Sequence, residues 1–307
     1  MKKSLAVILV VILIPFLIIM IFTTENNDVE DIPLVSSINV RVLRNKTNII
    51  ETISLEDYVV GVVSGEMPIY FNIEALKAQA VAARSYVLKR IEYNKNKDYD
   101  VVDSVVNQVY LDDEYLKNAW KENYNENISK IKEAVSKTEN EYLEFDGVVI
   151  DALFFSTSNG YTENSEDVFG FDLPYLKSVA SPWDEESSPA FKTTKSISLS
   201  ELYDKLSLEY KSKLDFKVIE TTSSGRSKTV SINDINLNSR EVYKILGLRS
   251  TDFSLSQDGE TIYIHTNGFG HGVGMSQYGA NAMANMGYKY NEILSHYYIG
   301  TNLKKIV

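Results

Sequence analysis

The chain has 307 residues, 44% of them hydrophobic and 24% charged, the make-up of a globular protein with room for one large domain or two modest ones. Its formal net charge of −11 argues against nucleic acid, whose phosphates need a basic surface, and leaves a neutral glycan compatible. With no Cys and only three His, thiolate ligands, disulfides and a His-rich zinc site are disfavoured.

Lys2 and Lys3 precede an apolar run that reaches Phe22 and is interrupted only by Pro15. Counted from Leu5 it would make a helix roughly 27 Å long, close to the ~30 Å hydrocarbon core of a bilayer. Acidic residues follow at Glu25, Asp28, Glu30 and Asp31. Residues 1–22 are therefore expected to be a single-pass transmembrane anchor in the cell membrane, N-terminus inside and body on the extracytoplasmic side. The alternative, a cleaved secretory signal, fits less well, because the run is long and no A-x-A-like site follows it. Residues 23–37 read as a polar tether. From Ile38 to Arg44 apolar and polar residues alternate, a turn follows at Asn45–Asn48, and Ile49–Ile53 returns, which predicts a hairpin.

Ser54 with Asp57 three residues on makes a helix start resembling a capping box. Leu55, Tyr58, Val59, Val62 and Val63 then form one buried stripe, and the next position on it is Glu66, just before the helix-stopping Pro68. A carboxylate on an apolar face in the last turn of a helix has its pKa raised by desolvation and by the negative end of the helix dipole. Such a group can donate a proton to a leaving oxygen. The other reading is a glutamate that turns outward at a frayed end, with Gly65 giving it freedom. A second helix is predicted over roughly Ile73–Tyr93, with Ala75, Ala78, Ala80, Ala82 and Ala83 making it suited to close packing. Lys77 and Arg84, seven apart, share one side of it, either aimed at the Glu66 region or as a solvated basic stripe.

Asp146-Gly147 predicts a turn between strands Glu141–Phe145 and Val148–Phe154. The second strand leads into Ser156-Thr157-Ser158-Asn159-Gly160, a small polar loop suited to sugar hydroxyls and acetamido groups. Residues 190–265 read as a more polar α/β insertion, with a helix at 199–208 and strands near 216–220, 228–232 and 261–266. The Gly-rich stretch 268–274 lacks the spacing of a phosphate loop and predicts close backbone approach to a glycan or to the Glu66 helix. His271 within it would hydrogen-bond in the site or serve the structure. Helices are predicted from Ser276 to near Gly287 and over Asn291–Tyr298. The fold class is α+β: an N-terminal membrane helix, then a mixed helix and strand core over 38–307, with 190–265 as a smaller subdomain.

The strings Leu55-Glu56-Asp57-Tyr58, Gly65-Glu66-Met67-Pro68, Glu74-Ala75-Leu76-Lys77-Ala78-Gln79-Ala80 and Ser156-Thr157-Ser158-Asn159-Gly160-Tyr161-Thr162-Glu163 resemble the stage II sporulation protein D family. So do Pro174-Tyr175-Leu176-Lys177, Ser181-Pro182-Trp183-Asp184 and Gly268-Phe269-Gly270-His271-Gly272-Val273-Gly274-Met275-Ser276-Gln277. The resemblance runs from residue 38 nearly to the C-terminus. It implies a lytic transglycosylase of endospore engulfment that cuts peptide-free peptidoglycan strands beside a partner amidase and a polytopic membrane protein. It maps the catalytic glutamate onto Glu66, and it implies that Tyr175, Lys177 and Asp184 line the cleft beside Lys77 and Arg84; Ser156 and Ser158 of the polar loop are candidate sugar contacts. Asp184 would be the second carboxylate if the reaction were hydrolytic. Relatives often carry a His before the Ser-Thr-Ser stretch and use Cys nearby to hold zinc; Phe155 and the absence of Cys predict no zinc and no other cofactor. Related domains resemble amidase enhancers, so a glycan-binding enhancer without catalysis is the rival expectation, and a structural coupling protein a third.

Overall fold

The computed structural model describes residues 37–306. The expected anchor at 1–22 lies outside the described residues. Among those described, no helix is long and apolar enough to cross a membrane.

Strands β1 (Asn39–Leu43) and β2 (Ile50–Ser54) form the predicted hairpin, with Asn39 opposite Ser54 and Leu43 opposite Ile50. The Ser54 hydroxyl accepts a hydrogen bond from the Asp57 N–H at 3.3 Å and starts α1 (Leu55–Glu66), which ends as Met67 turns extended ahead of Pro68. Helix α2 (Ile73–Tyr93) follows. All five of its predicted small residues are fully buried, which lets α1 approach it closely. A short β3 (Val101–Val102) runs parallel to β1. Two helices with no counterpart in the sequence reading come next: α3 (Asp113–Trp120) and α4 (Tyr124–Ser136), the latter also against α2.

Asp146 and Gly147 both take positive φ, 50° and 77°, the two-residue turn that the sequence asks for between β4 (Glu141–Phe145) and β5 (Val148–Val149). The predicted strand Val148–Phe154 is not continuous. It breaks after Val149 and resumes as β6 (Phe154–Phe155), which leaves β4 for a different partner. Helices α5 (Ser165–Phe169) and α6 (Asp184–Ser187) are short. Then come β7 (Lys192–Ser198), α7 (Leu199–Leu206), β8 (Phe216–Thr221), β9 (Ser227–Ile232), β10 (Ile235–Asn238), α8 (Ser239–Leu246), β11 (Phe253–Asp258) and β12 (Thr261–Asn267). They make two three-stranded sheets, ordered β10-β9-β8 and β11-β12-β7. Their apolar side chains, from Ile197 to Ile264, form a core of their own. Strand β13 (Met275–Ser276) pairs in parallel with β6, and α9 (Gln277–Asn285) and α10 (Tyr290–Tyr297) pack on α2. Strand β14 (Asn302–Lys305) closes on β4. The larger core thus collects residues from both sides of the 197–264 stretch around α2.

Candidate functional site

Glu66 ends α1 half-buried, on the stripe whose other members, Leu55, Tyr58, Val59, Val62 and Val63, are fully buried. One carboxylate oxygen accepts a 2.7 Å hydrogen bond from the Val109 N–H, and the Gln277 side-chain amide donates to the Glu66 carbonyl at 3.0 Å. Burial pushes the Glu66 carboxyl up; the Val109 and Gln277 bonds oppose this without cancelling it. No acidic neighbour is among the groups that shift it.

Two glycines bring Val109 there. A Cβ at Gly65 would stand 2.8 Å from the Val109 carbonyl oxygen, and one at Gly61 would stand 2.3 Å from the Tyr110 ring. Segment 109–111 therefore lies directly on the helix groove, with the Leu111 N–H on the Gly61 carbonyl at 3.3 Å. Gly65 has a packing role that a reading as loose helix end does not contain.

Gln277 is presented by the start of α9, and that start is fixed by Asp184. The Asp184 carboxylate accepts from the Ser158 N–H at 2.8 Å, from the Ser181 hydroxyl at 2.7 Å and from the Ser276 hydroxyl. Asp184 and Ser158 are both fully buried, and Ser158 spends its hydroxyl on the Ser181 carbonyl at 2.8 Å. Neither is open to solvent; they fix the 156–158 loop and the start of α9. Burial keeps the Asp184 carboxyl above its ordinary range despite these donors. Ser156 is different. It is half-exposed, and its carbonyl accepts from the Tyr278 N–H, so it borders the same end of α9 that meets Glu66.

The remaining predicted residues lie elsewhere. Arg84 is fully buried, its guanidinium on both Glu56 oxygens at 2.8 and 2.6 Å and on the Glu141 carbonyl at 2.9 Å. That corrects the expectation of a cleft residue, because the guanidinium is sealed from solvent and cannot reach a sugar. Lys77 pairs with Glu74 at 2.7 Å, and the same carboxylate takes the Tyr290 N–H, so it staples α2 to α10. The Tyr175 ring packs tilted on Phe145, and its hydroxyl accepts from the Asp151 N–H at 3.2 Å. Lys177 pairs with Asp172 on the exposed surface at 2.5 Å.

The Gly-rich loop does approach backbone closely, but its partner is the 153–163 segment. A Cβ at Gly274 would stand 2.0 Å from the Leu153 carbonyl, and one at Gly272 would meet Glu163 and Arg226 at 2.8 Å. His271 is half-buried, takes the Val273 N–H on Nδ1 at 3.0 Å, and sits between the Phe155 and Phe169 rings. Burial and nearby Arg226 lower its pKa to about 4, so at neutral pH it is uncharged. A hollow of about 200 Å³ lies beside His271, lined also by Asn107, Gln108, Leu153, Phe154 and Phe169. Arg226 and Glu163, both buried, meet behind the loop with Nε and Oε1 3.5 Å apart. Glu163 was visible as the end of a motif; Arg226 lies in a stretch with no motif at all. Among the described residues, no group of three or more His, Cys, Asp or Glu side chains is placed to hold a metal ion.

An α+β body with one desolvated carboxyl at a helix end, on a platform of small and polar loops, is the class of site seen here. A family profile described as Stage II sporulation protein matches residues 43–145. Stage II sporulation protein D of Bacillus amyloliquefaciens is 42% identical over 275 residues, covering 88% of this chain and 80% of its own. The protein of that name from Bacillus subtilis (strain 168) is equally similar, 42% over 275 residues with the same coverage. The chain belongs to the stage II sporulation protein D family. A protein called Amidase enhancer, also from Bacillus subtilis (strain 168), is 31% identical over 297 residues, 79% of this chain but 40% of its own.

Proposed function

We propose that the protein is a lytic transglycosylase that cuts peptidoglycan glycan strands during sporulation, with Glu66 as its single acid and base. The observation that carries this is the Glu66 carboxyl: half-buried, raised in pKa, and with no acidic neighbour among the groups that shift it. Glycosidases that use water need two carboxylates, about 5–9.5 Å apart. Asp184, the candidate for a second, is sealed from solvent. With one carboxyl, Glu66 protonates the oxygen linking muramic acid to glucosamine and, as carboxylate, removes the proton from the muramic C6 hydroxyl. That oxygen then bonds to C1 of its own ring, giving a 1,6-anhydro end. The intramolecular attack needs no positioned water and brings a high effective concentration. The Val109 N–H keeps the carboxyl aimed while it changes charge, and Gln277 holds the helix end that carries it.

The body acts on the extracytoplasmic side of the cell membrane, held by the apolar segment 1–22, on strands cleared of peptide by an amidase. No cofactor is required. The relative named Amidase enhancer supports a second reading, in which the chain binds glycan and stimulates that amidase. The two readings part at Glu66→Gln. The transglycosylase reading expects cleavage of peptide-free strands to fall by about 10²–10⁴-fold while sedimentation with the strands is unchanged. Wild-type chain that binds strands, stimulates an amidase and releases no fragments supports the enhancer.

A further inference from the structure

The turn that follows Glu66 is held from several sides and still presents an aromatic ring to solvent. The Phe71 N–H donates to the Pro68 carbonyl at 3.0 Å, which folds residues 68–71 into a tight turn at the end of α1. From α4 the half-buried Lys130 ammonium donates to the carbonyls on either side of Tyr70, Ile69 at 2.8 Å and Phe71 at 2.7 Å. From α9 the Asn281 side chain accepts from the Asn72 N–H at 2.8 Å. Phe71 is fully buried, yet Tyr70, between these anchors, is 70% exposed.

Tyr70 is not an isolated surface ring. Its hydroxyl lies 3.3 Å from that of Tyr278, which is half-buried at the start of α9. The Phe71 ring stands edge-on to both, with centroids 5.3 Å from Tyr70 and 5.0 Å from Tyr278. This aromatic patch adjoins Glu66 by two routes. Tyr70 is reached along the chain through the 68–71 turn, and Tyr278 follows Gln277, whose amide donates to the Glu66 carbonyl at 3.0 Å. The Tyr278 N–H in turn donates to the carbonyl of half-exposed Ser156 at 3.1 Å.

The patch is neutral. Burial and Tyr70 push the Tyr278 hydroxyl up to about 12, and no charged side chain is among the groups that shift it. The Lys130 ammonium is spent on backbone carbonyls. An aromatic face with a hydroxyl at its edge suits a pyranose, which has an apolar C–H face and a polar rim.

Resting on the glycan reading above, we propose that Tyr70 is a substrate contact, on whose face a sugar ring of the strand that Glu66 cuts is packed. Tyr278 and Phe71 are positioning residues: they hold the Tyr70 ring in place before the sugar arrives, so little side-chain freedom is lost on binding.

Calorimetry on the full Glu66→Gln chain, which leaves substrate uncut, tests this. The probe is the peptide-free hexasaccharide of alternating N-acetylglucosamine and N-acetylmuramic acid. Adding Tyr70→Ala should weaken binding by about three- to tenfold, and adding Tyr70→Phe, which keeps the face, by less than about twofold. Adding Tyr210→Ala, at an exposed tyrosine beside the second core, should leave binding unchanged. A folded Tyr70→Ala chain that binds as tightly as its parent overturns the contact. So does a Tyr70→Phe loss equal to that of Tyr70→Ala, or an equal loss with Tyr210→Ala. If Tyr70→Ala does not fold, crystals of the Glu66→Gln chain soaked in the hexasaccharide decide: a sugar on the Tyr70 ring supports the contact, and a strand bound away from it overturns it. Binding by the parent that Tyr70→Ala leaves unaltered removes the contact alone; no binding by the parent removes the glycan reading with it.

Discussion

Glu66 is where chemistry and stability pull against each other. Its carboxyl is raised by burial, so between the ordinary carboxylate range and its folded pKa the folded chain holds a proton that the unfolded chain has released. Stability therefore falls as pH rises through that window. Glu66→Gln keeps an oxygen for the Val109 N–H and removes the buried charge. It should raise Tm at neutral pH by about 1–3 °C, with no gain at pH below the carboxylate range; a lower Tm at both pH values would contradict the burial account. The proposed cleavage needs the acid form first, so its rate should fall as pH climbs past the same folded value. Arg84 makes the opposite kind of prediction. Its bidentate pair with Glu56 is wholly buried, so Arg84→Ala strands a carboxylate in the core. Denaturant unfolding should show a loss of about 3–5 kcal/mol. Unchanged stability with weakened sugar binding would return Arg84 to the cleft.

At the scale of elements, the setting of the Glu66 carboxyl depends on how closely segment 109–111 lies on α1. Gly65→Ala places a methyl against the Val109 carbonyl and should cost about 1–3 kcal/mol of stability through overpacking. It should also pull the Val109 N–H from the carboxylate, and since that bond lowers the Glu66 pKa, the alkaline limb of the activity profile should move to higher pH. A limb that stays in place while stability drops would mean that Val109 does not tune Glu66. Much at this scale was legible in the chain. Helices α1 and α2 were visible because one apolar stripe and one run of alanines each obey a single period. The β4–β5 turn was visible because Asp-Gly supplies the two positive φ values. Segment 109–111 carries no such period; its position is dictated by two glycines over 40 residues earlier. Strand Val148–Phe154 misled because an apolar run does not reveal that Phe154–Phe155 pairs with Met275–Ser276, more than 100 residues later.

Across the whole molecule, the chain leaves its first core near residue 190, builds a second from 197 to 264, and returns to finish the first with α9 and α10. The return delivers Gln277 to Glu66 and the Gly-rich loop to Glu163 and Arg226, so the surroundings of Glu66 depend on it. Asp184, Ser158 and Ser276 fix that return. This explains why Asp184 and Ser158 belong to the recognisable family strings while facing no solvent, and why spacing alone could not tell scaffold from ligand contact. The central claim is that one carboxyl, not two, cuts the strand. Mass spectrometry of peptide-free glycan digested by the wild-type chain tests it most directly. Fragments ending in 1,6-anhydromuramic acid, lighter than reducing ends by one water and absent with Glu66→Gln, are predicted; fragments with reducing ends would contradict it.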